Sequence, residues 1–130
     1  MTQQDTLTSV NGQVVRDYLE TVWNQGNVAA ADTYLDENLI QHNPNLPNGR
    51  AALVDFITGF KQQVPDGEFA IRRLIADGDL VAVHSLFTTD PEDRGTAVVD
   101  IFRIADGRIV EHWDVKEPVP ETSASGNEIV

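Results

Sequence analysis

The sequence predicts an α+β fold, with helices in its first half packed on an antiparallel sheet formed by its second half. Three observations predict it. Apolar residues recur every three or four positions up to about residue 64, and every second position from residue 68 onward. The tetrad Ile-Ala-Asp-Gly occurs twice in the alternating half, at 75–78 and 104–107, and each Asp-Gly suits a two-residue hairpin turn. The chain has 130 residues, the length of one domain with one core.

Residues 1–9 are polar and read as a loose start. Val10, Val14, Val15, Tyr18, Leu19, Val22 and Trp23 then form one helical stripe, which Gly26 ends. A short helix fits Val28 to Leu35, before Asp36-Glu37-Asn38 breaks it. Leu39 to His42 is a brief extended piece, and residues 43–49 form a loop holding two prolines. Asn48 is placed to cap a third helix, whose buried side carries Leu53, Phe56, Ile57, Phe60 and Val64. Pro65-Asp66-Gly67 stops it. Four strands follow, at about 68–76, 79–89, 95–105 and 108–116. Residues 10–117 make the domain. Residues 118–130, rich in Pro, Ser, Glu and Gly, make an arm.

The chain carries 9 Lys+Arg against 21 Asp+Glu, a formal net charge of −12. That charge repels phosphate backbones and anionic bilayers, so neither nucleic acid nor membrane is expected as a partner. With no cysteine, disulfides, thiolate nucleophiles and cysteine-ligated metals are excluded. The first ten residues have neither the basic nor the apolar region of a secretion signal, which makes the cytoplasm the expected compartment. The sequence has no His-x-x-x-His, His-Glu-x-x-His or acidic calcium-loop pattern, and no glycine-rich phosphate loop. Neither a metal nor a cofactor is therefore expected.

Turn geometry converts into a map of which residues face one another. Two-residue loops at Asp77-Gly78 and Asp106-Gly107 put His84 opposite Ile71 and Asp100 opposite Trp113. A three-residue loop at 91–93 puts His84 opposite Asp100. Directly opposed residues share a face, with Cβ atoms about 5 Å apart. One row then crosses the sheet: Ile71, His84, Asp100, Trp113. Its face is otherwise apolar, so it is the one the helices are expected to cover. Arg73 and Glu111 are expected one row along on that face, as a pair, and His112 and Asp114 on the other. The other face is also apolar for a solvent surface, with Leu74, Val81, Val83, Val99 and Ile101. That predicts a homodimer through it.

An aspartate and an imidazole in an apolar concavity make an acid/base pair. Lost hydration raises Asp100 toward the range useful for proton transfer, or holds it protonated as a hydrogen-bond donor to an enolate. The alternative is a buried aspartate tied to an Arg or Tyr. His84 orients Asp100 or shares its proton, or is a core histidine with one satisfied hydrogen bond. His42 sits in a loop at the helix–sheet junction, where pocket mouths lie, as a further acid/base candidate or as a loop tether. Tyr18 lies on the first helical stripe, as core or as a donor to substrate. Trp113 and Phe102 are expected to wall the pocket, with Asn43 at its edge.

Gln41-His42-Asn43-Pro44 in the first half, followed by Val99-Asp100-Ile101-Phe102-Arg103-Ile104, Asp106-Gly107-Arg108-Ile109-Val110-Glu111 and His112-Trp113-Asp114, resembles the SnoaL-like branch of the nuclear transport factor 2-like superfamily over about residues 10–117. The tail from Pro120 to Asn127 is similar to the ending of a bacterial subgroup labelled aldol-condensation-type. The resemblance implies a cone, a curved and mostly antiparallel mixed sheet wrapped around N-terminal helices with a pocket inside. It also implies polyketide cyclase-like chemistry, in which an aspartate on a sheet strand works as acid/base beside a histidine. Asp100 and His84 are the matching positions. Ketosteroid isomerases share the fold; against them Tyr18 and Asp100 match the oxyanion pair, while Asn43 stands where a proton-shuttling aspartate precedes a proline. An amide is no general base, which leaves His42 next door as the substitute. The function expected is cofactor-independent proton transfer next to a carbonyl, in aldol-type cyclisation or isomerisation of a small apolar ligand. The alternative is a binding module of the same fold.

Overall fold

A computed structural model describes residues 3–130, with side chains from Leu7 onward. Helix α1 spans Gln3–Tyr18 and runs on into a wider, π-type turn at Leu19–Asn24. It therefore starts well before Val10; of the start expected to be loose, Met1 and Thr2 lie outside the described residues. The helix expected from Val28 to Leu35 is only a 3-10 turn, Val28–Ala30, and one α turn, α2, Ala31–Tyr34. Leu35 already belongs to strand β1, Leu35–Gln41. Helix α3 is Arg50–Gln63. Its cap is Gly49 at φ 101°, not Asn48, whose Oδ1 instead accepts the backbone N–H of Gln41 at 2.9 Å. Strands β2 (Glu68–Asp77), β3 (Leu80–Thr88), β4 (Thr96–Ala105) and β5 (Arg108–Pro118) follow, and residues 119–130 run on without helix or strand.

The five strands form one sheet in the order β1-β5-β4-β3-β2, with β1 parallel to β5 and every other pair antiparallel. The helices lie on one face. Val15, Tyr18, Leu19 and Val22 from the first helical segment, and Leu53 and Ile57 from α3, bury against Leu35, Leu39, Val81, Val83, Phe102 and Ile109 of the strands. Ile57 is fully enclosed, and truncating such a side chain to alanine costs about 2–5 kcal/mol. Among the described residues no helix is long and apolar enough to cross a membrane.

The register differs from the expected one at four places, the first an extra residue, Arg72, in β2, which sets Ile71 opposite Ser85 and Arg73, not Ile71, opposite His84. The two Ile-Ala-Asp-Gly tetrads do not turn alike. Asp106 and Gly107 both have positive φ, 51° and 78°, as a type I′ turn requires, and Ala105 pairs with Arg108 as expected. The first turn is instead Gly78-Asp79, with Asp77 paired to Leu80. Helix α1 selects it: Thr8 Oγ1 accepts the Gly78 N–H at 3.1 Å, and Asn11 Nδ2 donates to the Gly78 carbonyl at 2.9 Å. The β3–β4 connection pairs Phe87 with Thr96, and hence His84 with Val99 and Asp100 with Val83. Finally, β5 bulges. Ile104 pairs with Ile109 but Arg103 with Glu111, so Val110 is an extra residue. From there His112 and Asp114 face the helices, while Trp113 faces away.

Candidate functional site

Between the helices and the inner face of the sheet lies a cavity of about 290 Å³. One end is aromatic. Trp23 meets Phe56, Phe60 and Phe69 edge-on, with ring centroids 6.2, 5.9 and 5.5 Å away. The other end carries the polar groups Tyr18, Gln41, Asn43, Asp100, His112 and Asp114, set among Leu35, Leu39 and Phe102.

Asp100 and His112 form the centre of that end, with Nε2 2.8 Å from Oδ1. They come from adjacent strands, where Phe102 pairs with His112 and Asp100 with Asp114. Their side chains are 7% and 12% exposed. Burial pushes the Asp100 carboxyl above the usual carboxylate range, against the opposing pull of the His112 hydrogen bond. The second oxygen, Oδ2, is enclosed and has no hydrogen-bond partner.

The hydrogen bonds also assign the imidazole. Gln41 Oε1 accepts the backbone N–H of Asn43 at 3.2 Å, which fixes it as the carbonyl end of that amide. The same oxygen lies 2.6 Å from His112 Nδ1, so Nδ1 carries a proton. Only one proton is then left to be shared between Nε2 and Asp100. The pair is either imidazolium with carboxylate or neutral imidazole with carboxylic acid, and moving between them shifts one proton along a 2.8 Å contact.

Asp114 is held separately. Asn43 Nδ2 donates to both its oxygens, at 3.1 and 2.8 Å, while Asn43 Oδ1 accepts the Asn45 N–H at 2.8 Å. His112 Nε2 is 3.9 Å from Asp114 Oδ2. Asp100, His112 and Asp114 bring their ligand-type atoms within 4.8 Å of one another, so they are the residues that could gather around a cation. Their oxygens and Nε2 are already engaged, apart from Asp100 Oδ2.

Tyr18 closes the polar end. The π-type turn that follows it closes its backbone hydrogen bonds over five residues rather than four, and this wider winding brings Trp23 onto the same side. The Trp23 indole N–H donates to the Tyr18 oxygen at 2.8 Å. With that oxygen accepting, the phenol's own proton is free to donate into the cavity. Burial and the neighbouring Asp100 carboxylate both push the Tyr18 hydroxyl up, outweighing the Trp23 bond, and so keep it protonated.

A family model described as a SnoaL-like domain matches residues 15–112. The chain belongs to the SnoaL-like family. Its fold is that of the nuclear transport factor 2-like superfamily. A SnoaL-like polyketide cyclase from Agrobacterium tumefaciens superposes with a TM-score of 0.69 at 17% identity, over 82% of this chain and 91% of that one. TsrD from Streptomyces laurentii gives 0.71 at 22%, over 84% and 89%. An LEH-like epoxide hydrolase from M. tuberculosis gives 0.71 at 21%, over 85% and 84%. Among curated proteins, none matches the chain by sequence.

In this SnoaL-like chain Asp100, Tyr18, Phe102 and Asn43 line the cavity. The other three site residues named from sequence do not. His84 is on the opposite face from Asp100, because the β3–β4 connection changes the parity of the pairing; its Nδ1 meets Arg73 Nη1 there. Trp113 is turned outward by the Val110 bulge. Its ring stacks on His42 with centroids 4.8 Å apart and planes 3° from parallel. His42 faces outward with it and binds Glu111 at 2.8 Å, and Glu111 also accepts from Arg103 at 3.1 Å. Both contacts hold the Glu111 carboxyl below its usual range, the His42 bond most of all. The expected Arg73–Glu111 pair does not form. The residues that take up the vacated roles are His112, Asp114 and Gln41, which sequence reasoning had missed. The signal available for them was Gln41 two residues before Asn43, and His112 two residues before Asp114, on strands that a single extra residue reorients.

Proposed function

We propose that this SnoaL-like protein is a cofactor-independent enzyme that moves a proton next to a carbonyl, in aldol-type cyclisation or isomerisation of a small apolar ligand. One observation carries the reading: a 2.8 Å Asp100–His112 hydrogen bond at the buried polar end of an apolar cavity, with Asp100 Oδ2 unengaged. A carboxylate so placed is a base of raised strength. Oδ2 takes the proton from the carbon beside the carbonyl, while Oδ1 keeps its bond to His112. The electron pair moves onto the carbonyl oxygen, which accepts a hydrogen bond from the Tyr18 hydroxyl. In an isomerisation Asp100 returns the proton to another carbon. In an aldol step the enolate carbon bonds to a second carbonyl, and the proton goes to the new alkoxide. His42, being on the other face, has no part in this.

The test is deuterium uptake at carbon next to the carbonyl, followed by proton NMR in heavy water over a panel of aryl and alkyl ketones. Wild type should accelerate uptake for a subset of the panel, and Asp100→Asn and His112→Asn should abolish it. Ketones that bind without any accelerated uptake would leave only the binding-module reading.

A second copy of the chain is proposed to cover the outer sheet face, where Ile75, Ile101 and Val115 stand exposed. Light scattering on wild type and Ile101→Glu checks it: a dimer is expected, and a monomer for the variant.

A further inference from the structure

Lys116 follows His112 and Asp114 at alternate positions of β5 and is the only Lys or Arg side chain lining the cavity. It is exposed, pairs across the sheet with buried Val98, and so stands at the mouth. Its backbone is about 13 Å along the strand from that of His112. The chain has a net charge of −12, and of its other cations those without a partner among the described residues, Arg16 and Arg72, do not line the cavity. Lys61, the other of its two lysines, donates to the carbonyls of Asn24, Pro65 and Gly67 at 3.0, 3.4 and 2.9 Å. Arg50, Arg94 and Arg103 sit in ion pairs with Asp32, Glu121, Asp79 and Glu111. Lys116 has no hydrogen-bond or ion-pair partner among the described residues. The nearest acid in its own row, Asp114, already takes both bonds from Asn43.

We propose that Lys116 is a docking point for a carboxylate on the ligand, so that the pocket selects molecules with an apolar or aromatic body and one acidic end. The aromatic end of the cavity supplies the seat for the body, and the uncommitted ammonium at its mouth supplies the charge. A single ammonium matches a singly charged carboxylate. A phosphate dianion has no second Lys or Arg to meet in the cavity, and it faces the repulsion of an acidic protein. The inference rests on the cavity being a ligand pocket, as proposed above, but not on the proton transfer.

The experiment compares 6-phenylhexanoate with 6-phenylhexanamide by calorimetry on the full chain, at low and at physiological salt, for wild type, Lys116→Gln and Lys116→Glu. All Lys116 changes are at an exposed position. In wild type the acid should bind about 2–5-fold more tightly than the amide at low salt, with the gap narrowing as salt rises. Lys116→Gln should bring the ratio to one and Lys116→Glu below one, with amide affinity unchanged in both. An acid preference that survives Lys116→Gln puts the carboxylate elsewhere, on His112 first of all, and overturns the inference. Equal binding of acid and amide by wild type also overturns it, while leaving the pocket reading standing. If neither compound binds, the pocket reading falls and the inference falls with it.

Discussion

Trp23 donates its indole N–H to the Tyr18 hydroxyl across five residues, 2.8 Å from nitrogen to oxygen. The bond leaves the phenol proton as the only one Tyr18 can offer a ligand, and it fixes where that proton points. Tyr18→Phe should therefore lower turnover of any ketone found by about 100-fold, with little change in KM. Trp23→Phe removes the indole N–H but keeps the Tyr18 hydroxyl, less firmly held, and should lower turnover by less than tenfold. Equal effects of the two changes would mean that Tyr18 only packs.

Asp100→Asn separates chemistry from stability. Turnover should fall by about 10²–10⁴. Stability should rise at neutral pH. Burial raises the Asp100 carboxyl, so the native chain holds a proton that the unfolded chain gives up. The contribution of this group is complete below the ordinary carboxylate value and is lost as pH rises through the raised one. Urea unfolding of wild type and Asp100→Asn from pH 4 to 8 should show two curves that meet at the acid end and separate upward, with the variant more stable.

Gln41 determines which nitrogen of His112 carries the fixed proton. Nitrogen-15 NMR should show Nδ1 protonated in the wild type throughout the range in which the protein is folded. Gln41→Leu removes the acceptor at 2.6 Å and should mix the two tautomers. An unchanged spectrum would show that another acceptor holds Nδ1.

Gly95 tests the parity of the sheet. It has φ 87°, and a Cβ built there would lie 2.5 Å from the Phe87 carbonyl oxygen. Gly95→Ala should cost about 1–3 kcal/mol in chemical denaturation, well beyond an ordinary surface change.

The sequence made the elements legible because their signals are local. The switch from helical to alternating spacing locates α3 and the four long strands, and Asp106-Gly107 turns as its residue types demand. Asp100 was legible as a carboxylate in an apolar strand, and it is buried. The partner of Asp100 was not legible, because facing in or out depends on counting residues between strands. The β3–β4 connection pairs His84 with Val99 rather than with Asp100, and Val110 slips an extra residue into β5. Each such step reverses every side chain beyond it. His84 and His112 exchange places for that reason, although both strands were located correctly.

The Val110 bulge has a bearing on how this protein is compared with its relatives. A homologue with the same residues but unbroken pairing along β5 would offer its Glu111, Trp113 and Val115 equivalents to the chamber, and its His112 and Asp114 equivalents to solvent. An ungapped alignment would still match the two stretches letter for letter. Transferring a mechanism between them would then pair side chains that sit on opposite sides of a wall, and a single bulge is enough to separate two chemistries that look alike on paper.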